Sequence, residues 1–504
     1  MRIALISPKW NKKANDYPPL GLGYLAAVLE RNHHQVQILD FSLDPQSSLD
    51  SDVQRVAAFD PHLVGITAMT SVYHNAVETA TLLKAYLGRP IVLGGPHATM
   101  CPERILTESP VIDYVVRGEG EATILELVDA VAGDRDLGSV KGLTYRRRGE
   151  VSPSSGRGEI VSNPDRELIV DLDALPFPAR HLFDLKRYGL RTPEGQPMAT
   201  ILSSRGCPFN CSYCFKGIVG RTYRQRSPEN IIAELRHIIA EYGIRNFYFI
   251  DDLFTIDSRR LQAITEGLIA QRLDIRWQCL GRVDRVNAEI LRKMYAAGCR
   301  RIHYGIESGN QVILQRIDKG IKLGQVHDAV RWANEAGIQV KGYFMLGLPG
   351  DTEQTMQQTI DLAVALDLDE AMFSLTTPFP GTRLWDELVK KRPDTEYDQD
   401  FSRAYYYANS DAQVLPFLNV SEVSDAVLGQ WVRKAQVALA EARAKRLYRR
   451  AFGPWLGAIL WRVSRLEPLR MIGRRFMRAG LFKRFARLRT RATSNQATEI
   501  KTWS

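Results

Sequence analysis

The sequence predicts an α/β chain: two parallel-sheet units in series, then a helical, basic C-terminal region. Strand-length apolar runs alternate with helix-length ones across about residues 1–140, and again across 196–420. Cys207, Cys211 and Cys214 fall within eight residues at the start of the second set. Between Glu441 and Arg491 lie 16 Lys and Arg against 2 acidic residues, an excess larger than the chain's net +10, so the remainder is net negative. The length of 504 residues allows about three domains.

In the first unit, 2–7 reads as a strand, 20–31 as an apolar helix, and 35–40 and 63–69 as strands. A helix over 75–87, strands over 90–93 and 114–116, and a helix over 122–131 complete it. This order predicts a doubly wound sheet, which binds ligands beyond the carboxyl ends of its strands. The loops there hold Leu20 and Gly21, Thr70 and Ser71, Gly94, Gly95 and His97, and Gly118 and Glu119. Their glycines let the backbone come close to a large flat ligand. Alone, these loops imply only a nucleotide-like or cofactor-like ligand. Residues 141–195 read as a linker with a hairpin from 143 and a Pro-punctuated connector over 171–180.

The second unit opens with a strand over 199–203 that runs into the cysteine loop. Ser227-Pro228 starts a helix to 242, followed by a strand over 246–250 ending in Asp251-Asp252. Strands over 276–281, 301–306, 339–346 and 372–376 follow, with helices over 261–270, 288–297, 326–336 and 355–366 between them. Six such units predict a partial (β/α)6 barrel with its site at the carboxyl ends of the strands. Arg282, Glu307-Ser308 and Gly347-Leu348-Pro349-Gly350 all sit at such ends. A carboxylate of Asp251-Asp252 suits an ammonium group and Arg282 suits a carboxylate. Asp252 as a helix cap and an Arg282–Glu307 ion pair are the plainer readings.

Three thiolates suit an iron–sulfur cluster or zinc. A second Cys/His pair of the zinc-finger kind is missing, and an odd number cannot all pair as disulfides. Three ligands to a [4Fe–4S] cube leave one iron open to a further ligand. Three structural cysteines are the bland alternative. Six Cys, half of them clustered, argue for a reducing compartment. The N-terminus lacks a signal-peptide pattern, and no apolar run reaches the ~18–20 residues that span a bilayer. A cytoplasmic location is expected.

With Tyr213 before the last cysteine, the C-x3-C-x-aromatic-C spacing resembles the cluster loop of the radical S-adenosylmethionine (SAM) enzymes. Residues 17–22, 94–97 and 117–121, in that order, resemble the cobalamin-binding domain that precedes it in a large subfamily of methyltransferases and anaerobic cyclases. The resemblance covers residues 1–420. It implies a Rossmann-like cobalamin-binding domain over 1–140, a linker over 141–195 that turns cobalt toward the cluster and a radical SAM barrel over 196–420; beyond it, 421–504 reads from its own residues as a helical region with a basic tail.

The resemblance implies cofactors and site residues. Cys207, Cys211 and Cys214 hold a [4Fe–4S] cluster whose open iron binds the amino and carboxylate groups of SAM. One electron from a ferredoxin- or flavodoxin-type reductant then yields a 5′-deoxyadenosyl radical. Tyr213 is a cofactor contact, Asp251 or Asp252 lies beside the SAM amino group, Arg282 beside its carboxylate, Glu307 and Ser308 at the ribose, and 347–350 on the adenine side. Leu20, Gly21, Thr70, Ser71, Gly94, Gly95, His97, Gly118 and Glu119 line cobalamin. That cobalamin is expected base-off without a protein His ligand. Asp60-Pro61-His62-Leu63-Val64-Gly65 fits D-x-H-x-x-G, but it abuts the third strand at the wrong edge of the sheet, and the 8–20 loop has no His. Cys299 reads as core, and Cys279 as a candidate for the barrel interior.

The implied activity is C-methylation of an unactivated carbon in a small-molecule, lipid-like or tetrapyrrole substrate. Oxidative cyclisation or ring rearrangement without methyl transfer is the alternative. An RNA-modifying methylthiotransferase would carry a second three-Cys cluster, where this chain has only Cys101. A non-catalytic cobalamin or cluster sensor is the reading from another class. Residues 421–450 read as a helix pair that shapes the pocket with Tyr405, Tyr406 and Tyr407. The basic amphipathic stretch beyond it suits the surface of an anionic membrane. Packing on the protein is its alternative, and nucleic acid is disfavoured.

Overall fold

The computed structural model describes residues 1–10, 17–151, 158–396 and 416–463. Tyr405–Tyr407, the basic stretch beyond Val463 and part of the 8–20 loop lie outside the described residues.

The first sheet has the order β2 (Gln35–Asp40), β1 (Arg2–Ser7), β3 (Leu63–Thr67), β4 (Ile91–Gly94), β5 (Tyr114–Val116), β6 (Leu143–Val151), β7 (Gly158–Ser162). The first five strands are parallel, and β6 and β7 add antiparallel to β5. The hairpin read as part of the linker therefore extends this sheet. Ile3, Ala4, Leu5 and Ile6 are all buried, as in a sheet covered on both faces. Helices Leu20–Arg31 and Gly120–Ala132 cover one face. Leu49–Phe59, Tyr73–Leu87 and Pro102–Glu108 cover the other.

The second sheet takes its strands in chain order, all parallel: β8 (Ala199–Ile201), β11 (Asn246–Phe249), β12 (Arg276–Gly281), β13 (Cys299–Glu307), β14 (Gln339–Leu346), β15 (Glu370–Leu375). Its outer face and its helices share one apolar core. Between β8 and β11, the short antiparallel pair β9 (Ser204–Arg205) and β10 (Arg224–Gln225) forms a neck that closes the cysteine loop.

The expected helix pair over 421–450 is one continuous 28-residue helix, Asp425–Phe452. Its Ala-rich middle carries no breaker, and Leu428, Trp431, Val432 and Ala435 bury against the second core. Gly453 ends it before a short helix, Pro454–Val463. Among the described residues, no helix is long and apolar enough to cross a membrane.

Candidate functional site

The cysteine loop hangs from the β9–β10 neck. Gly206, just before Cys207, has φ +85°, and a Cβ there would collide with the carbonyl oxygen of Thr222 across the neck. Cys207 and Cys211 are half-buried, Cys214 is exposed, and all three are free thiols. Desolvation raises Cys207 and, with its sister thiols, pushes Cys214 up to about 12; Cys214 keeps solvent contact in a concavity whose walls still desolvate it. Among the described residues no three His, Cys, Asp or Glu side chains converge as around a single ion. A cube needs something else: each thiolate takes a different iron, so the three stand farther apart. Three thiols on one short loop, with no fourth, fit that group.

Asp251 is fully buried. Its carboxylate accepts the Ser203 N–H at 2.6 Å and the hydroxyls of Ser203 and Ser204 at 2.5 and 2.6 Å. It fixes the turn into the loop, and its lone pairs are engaged there. Asp252 is open to solvent, beside Cys207 and Cys214. Desolvation by its concave surroundings and the charge of Asp251 raise its pKa, against Lys216.

Arg282 donates from Nε to Asp284 at 2.7 Å and from its guanidinium to the Lys319 carbonyl. Its guanidinium lies 3.7 Å over the centre of the Phe209 ring, tying the end of β12 to the cysteine loop. The Arg282–Glu307 pair is not formed. Glu307 instead takes the Lys319 ammonium at 2.8 Å, and that ammonium reaches the Tyr213 hydroxyl at 3.2 Å. Both members of the pair are buried, and Glu307 has φ +70°, unusual for a residue with a side chain. Desolvation opposes the Lys319 charge, but Glu307 outweighs it and raises the ammonium pKa. Ser308 turns away: its hydroxyl accepts Asn310 N–H at 3.1 Å and meets Thr359 at 3.3 Å. Cys279 and Cys299 are buried in the core behind the sheet.

In the first domain the predicted loops do gather at the carboxyl edge. His97 is buried, stacked on Tyr73 at 4.2 Å, with Nδ1 3.3 Å from the Thr70 hydroxyl. Burial pushes its pKa down to about 3, so it is a neutral imidazole. Gly95 has φ +96°, and a Cβ would press on Ala68 and Thr67. Leu20 and Ser71 are buried at the same edge, and Gly94 ends β4. Beyond Gly21 and Gly118 a Cβ would meet nothing within 4 Å, so this edge has room for a flat ligand. His62 lies at the opposite, amino edge, where it accepts Arg2 N–H at 3.0 Å.

Glu119 faces the second domain. Its two oxygens take Arg205 at 2.9 Å, Arg224 at 2.7 Å and Ile169 N–H at 2.7 Å, while Glu121 takes Arg205 at 2.5 Å. Arg205 and Arg224 are the paired residues of the neck. Met100, just past the Gly94–His97 loop, packs against Gly217 and Gly381, where any Cβ would overlap its side chain. The carboxyl edge of the first sheet thus meets the cysteine loop directly. Sequence reasoning assigned no role to Lys319, Glu121, Arg205, Arg224 or Met100. Glu121, inside the 117–121 motif, and Arg205, two residues before Cys207, stood close enough to a motif to be noticed.

A cavity of about 1100 Å³ lies on the inner face of the six-stranded sheet, toward the amino ends of the strands. None of the three loop cysteines is in its wall.

Residues 201–363 match the Radical SAM superfamily and residues 11–128 match the B12 binding domain. An uncharacterized methyltransferase of Pyrococcus horikoshii is 39% identical over 374 residues, 74% of this chain and 78% of its own. The anaerobic magnesium-protoporphyrin IX monomethyl ester cyclase of Rubrivivax gelatinosus is 28% identical over 401 residues, 78% of this chain and 70% of its own. The solved radical S-adenosylmethionine methyltransferase TsrM from Kitasatospora setae, with cobalamin and a [4Fe-4S] cluster bound, shares the fold with a TM-score of 0.65 and 22% identity; the match covers 77% of this chain and 78% of that one. A three-Cys loop set against a cobalamin-binding sheet, with these matches, means that the chain belongs to the radical SAM superfamily, in its cobalamin-binding group.

Proposed function

We propose that this enzyme methylates an unactivated carbon of an organic substrate, with a [4Fe–4S] cluster, SAM and cobalamin as its cofactors. The observation that carries this reading is the Glu119 clasp: it sets the cobalamin-binding edge against the neck of the cysteine loop. When bound, the three groups supply a carbon radical and a transferable methyl. The chain's own residues hold and orient them. Cys207, Cys211 and Cys214 take the cluster. Tyr213, Asp252, Arg282 and Glu307 face the SAM side of the loop, with Asp251 setting its shape. Leu20, Gly21, Thr70, Ser71, Gly94, Gly95, His97 and Gly118 form the cobalamin edge, and Glu119 fixes that edge in place.

Cobalamin is held base-off without a protein imidazole, a reading supported by His62 lying at the far edge of the sheet. An external one-electron reductant of the ferredoxin or flavodoxin type serves the cluster. Contact with an anionic membrane is supported by Trp455, Leu456 and Ile459, which are exposed on helix Pro454–Val463 beside a basic segment. Co-sedimentation with phosphatidylglycerol vesicles, lost when Trp455 and Ile459 become Ser, would test it; no co-sedimentation would remove it.

The function is tested anaerobically. Protein reconstituted with iron, sulfide and cobalamin is given reductant, candidate substrates and methyl-labelled SAM. Formation of 5′-deoxyadenosine, S-adenosylhomocysteine and a labelled organic product is expected. The cyclase relative favours a second reading, cyclisation, which would give 5′-deoxyadenosine with no S-adenosylhomocysteine. Neither product would refute both.

A further inference from the structure

The inner face of the second sheet carries chemistry that the cofactors do not use. Along β14, Val340, Phe344 and Leu346 are buried in the core while Gln339, Lys341 and Tyr343 line the cavity. The same alternation puts Tyr248, Gln278 and His303 on its wall. His303 is the centre of this set. Its Nδ1 lies 3.4 Å from the Tyr248 hydroxyl and 3.3 Å from that of Tyr343. Its Nε2 is buried and has no partner. Burial and the neighbouring cations lower its pKa to about 3, so the ring is neutral and Nε2 offers either an N–H or a lone pair. A buried polar atom with no partner is costly, and it marks a place where a ligand atom belongs.

The mouth is cationic. Arg191, Arg276, Arg300, Arg301 and Lys341 stand in the wall against Glu194 alone. Glu370, behind the wall, compensates Arg301 at 3.1 Å and Lys341 at 2.7 Å. Among the described residues Arg300 donates to the carbonyls of Tyr295 and Cys299, and Arg276, exposed at the start of β12, has no carboxylate partner. Leu190, Met198, Met372, Phe373 and Leu439 supply apolar wall. His303 and Glu307 share β13, four residues apart. A bulge before Glu307 sets those four residues against only three of β14, Lys341 to Phe344, so at a strand's rise of ~3.3 Å per residue the polar floor lies about 10 Å from the Glu307–Lys319 pair beside the cysteine loop.

We infer that this cavity takes the substrate as a large amphipathic anion, its carboxylate or phosphate held at Arg276 and its neighbours and its apolar body running toward the cysteine loop. This rests on the function proposed above. It fixes a class: a molecule with about 10 Å or more between its anionic group and the carbon that is altered. Amino acids and other short metabolites are too small.

The test uses the full-length protein and measures binding, not turnover. The probes are protoporphyrin IX, a rigid dicarboxylate, with its dimethyl ester, and hexadecyl phosphate with neutral hexadecanol. At least one anion is expected to bind at least tenfold tighter than its neutral counterpart, and Arg276→Gln is expected to lower its affinity about tenfold. Arg276 is exposed, so this variant keeps its core, and His303→Leu supplies an independent loss. A porphyrin response identifies a rigid carboxylate as the preferred form, and a phosphate response a lipid-like one. Equal binding of anion and neutral counterpart, no binding of either anion, or unchanged binding in both variants would overturn the inference. Release of 5′-deoxyadenosine by the wild-type protein is followed separately: its absence would defeat the proposed function while leaving the binding result intact.

Discussion

Glu119 and Arg205 form an ion pair at 2.9 Å, both side chains buried, across the boundary between the two sheets. Eighty-six residues separate them in the chain. Burial works against ionisation of Glu119, but Arg224 and Arg205 outweigh it and hold the carboxyl below its ordinary range. Removing one partner of a buried pair leaves the other charge uncompensated, which costs about 3–5 kcal/mol. Glu119→Ala should lower the unfolding free energy by about that much in urea denaturation. An unchanged midpoint would show the clasp to be energetically idle.

The same pair sets a pH dependence. The folded pKa of Glu119 is below the unfolded value, so its stabilisation is present above the ordinary carboxylate range near ~4.3 and is lost as pH falls through the lowered folded value. The gap in melting temperature between wild type and Glu119→Gln should be constant from pH 8 to 6 and narrow below pH 4. A gap that widens in acid would reverse the assignment.

Lys319→Met should strand Glu307 in a buried site and cost about 3 kcal/mol or more. The double variant Lys319→Met, Glu307→Gln removes both charges and should recover part of that loss. A double variant as unstable as the sum of the single changes would mean that the two residues are not coupled.

Cys207→Ala, Cys211→Ala and Cys214→Ala should each abolish stable retention of iron after anaerobic reconstitution. Cys279→Ala and Cys299→Ala should keep their iron and lose only about 1 kcal/mol of stability, as small core truncations do. Iron analysis after gel filtration separates the two groups. Iron loss from a Cys279 variant would place that thiol in the site.

Gly206→Ala should fail for steric reasons alone. Its φ of +85° disfavours any side chain, and the added methyl would push Thr222 and open the neck. Loss of at least ~1 kcal/mol is expected, with weaker iron retention, read by thermal melting and iron content together. A variant with wild-type stability and iron would show that the neck tolerates opening.

Local signals explain what the sequence made legible. The β1, β4 and β11 strands are short apolar runs, Ser227 caps a helix with Pro228 behind it, and the cysteine spacing needs no tertiary information. The helix Leu49–Phe59 was missed because its polar surface residues dilute a buried stripe of only Asp52, Val53 and Val56. The pairing of β6 with β5, and of Glu307 with Lys319, could not be read, because each depends on segments brought together by the fold. Arg282 was assigned on its position at a strand end. Its stacking on Phe209 depends on where the cysteine loop comes to rest, which spacing does not encode.

The order in which the chain is made gives the Glu119 clasp a further consequence. Glu119 and Glu121 leave the ribosome long before Arg205 and Arg224, while β6 and β7 follow soon enough to complete the first sheet. Until the neck arrives, both carboxylates have water as their partner, so the face that will hold the cofactor is hydrated and negatively charged during synthesis. That charge disfavours premature association between nascent first domains. Docking then waits for two arginines that appear on either side of the cysteine loop, so the domains close only when all three cysteines have been made.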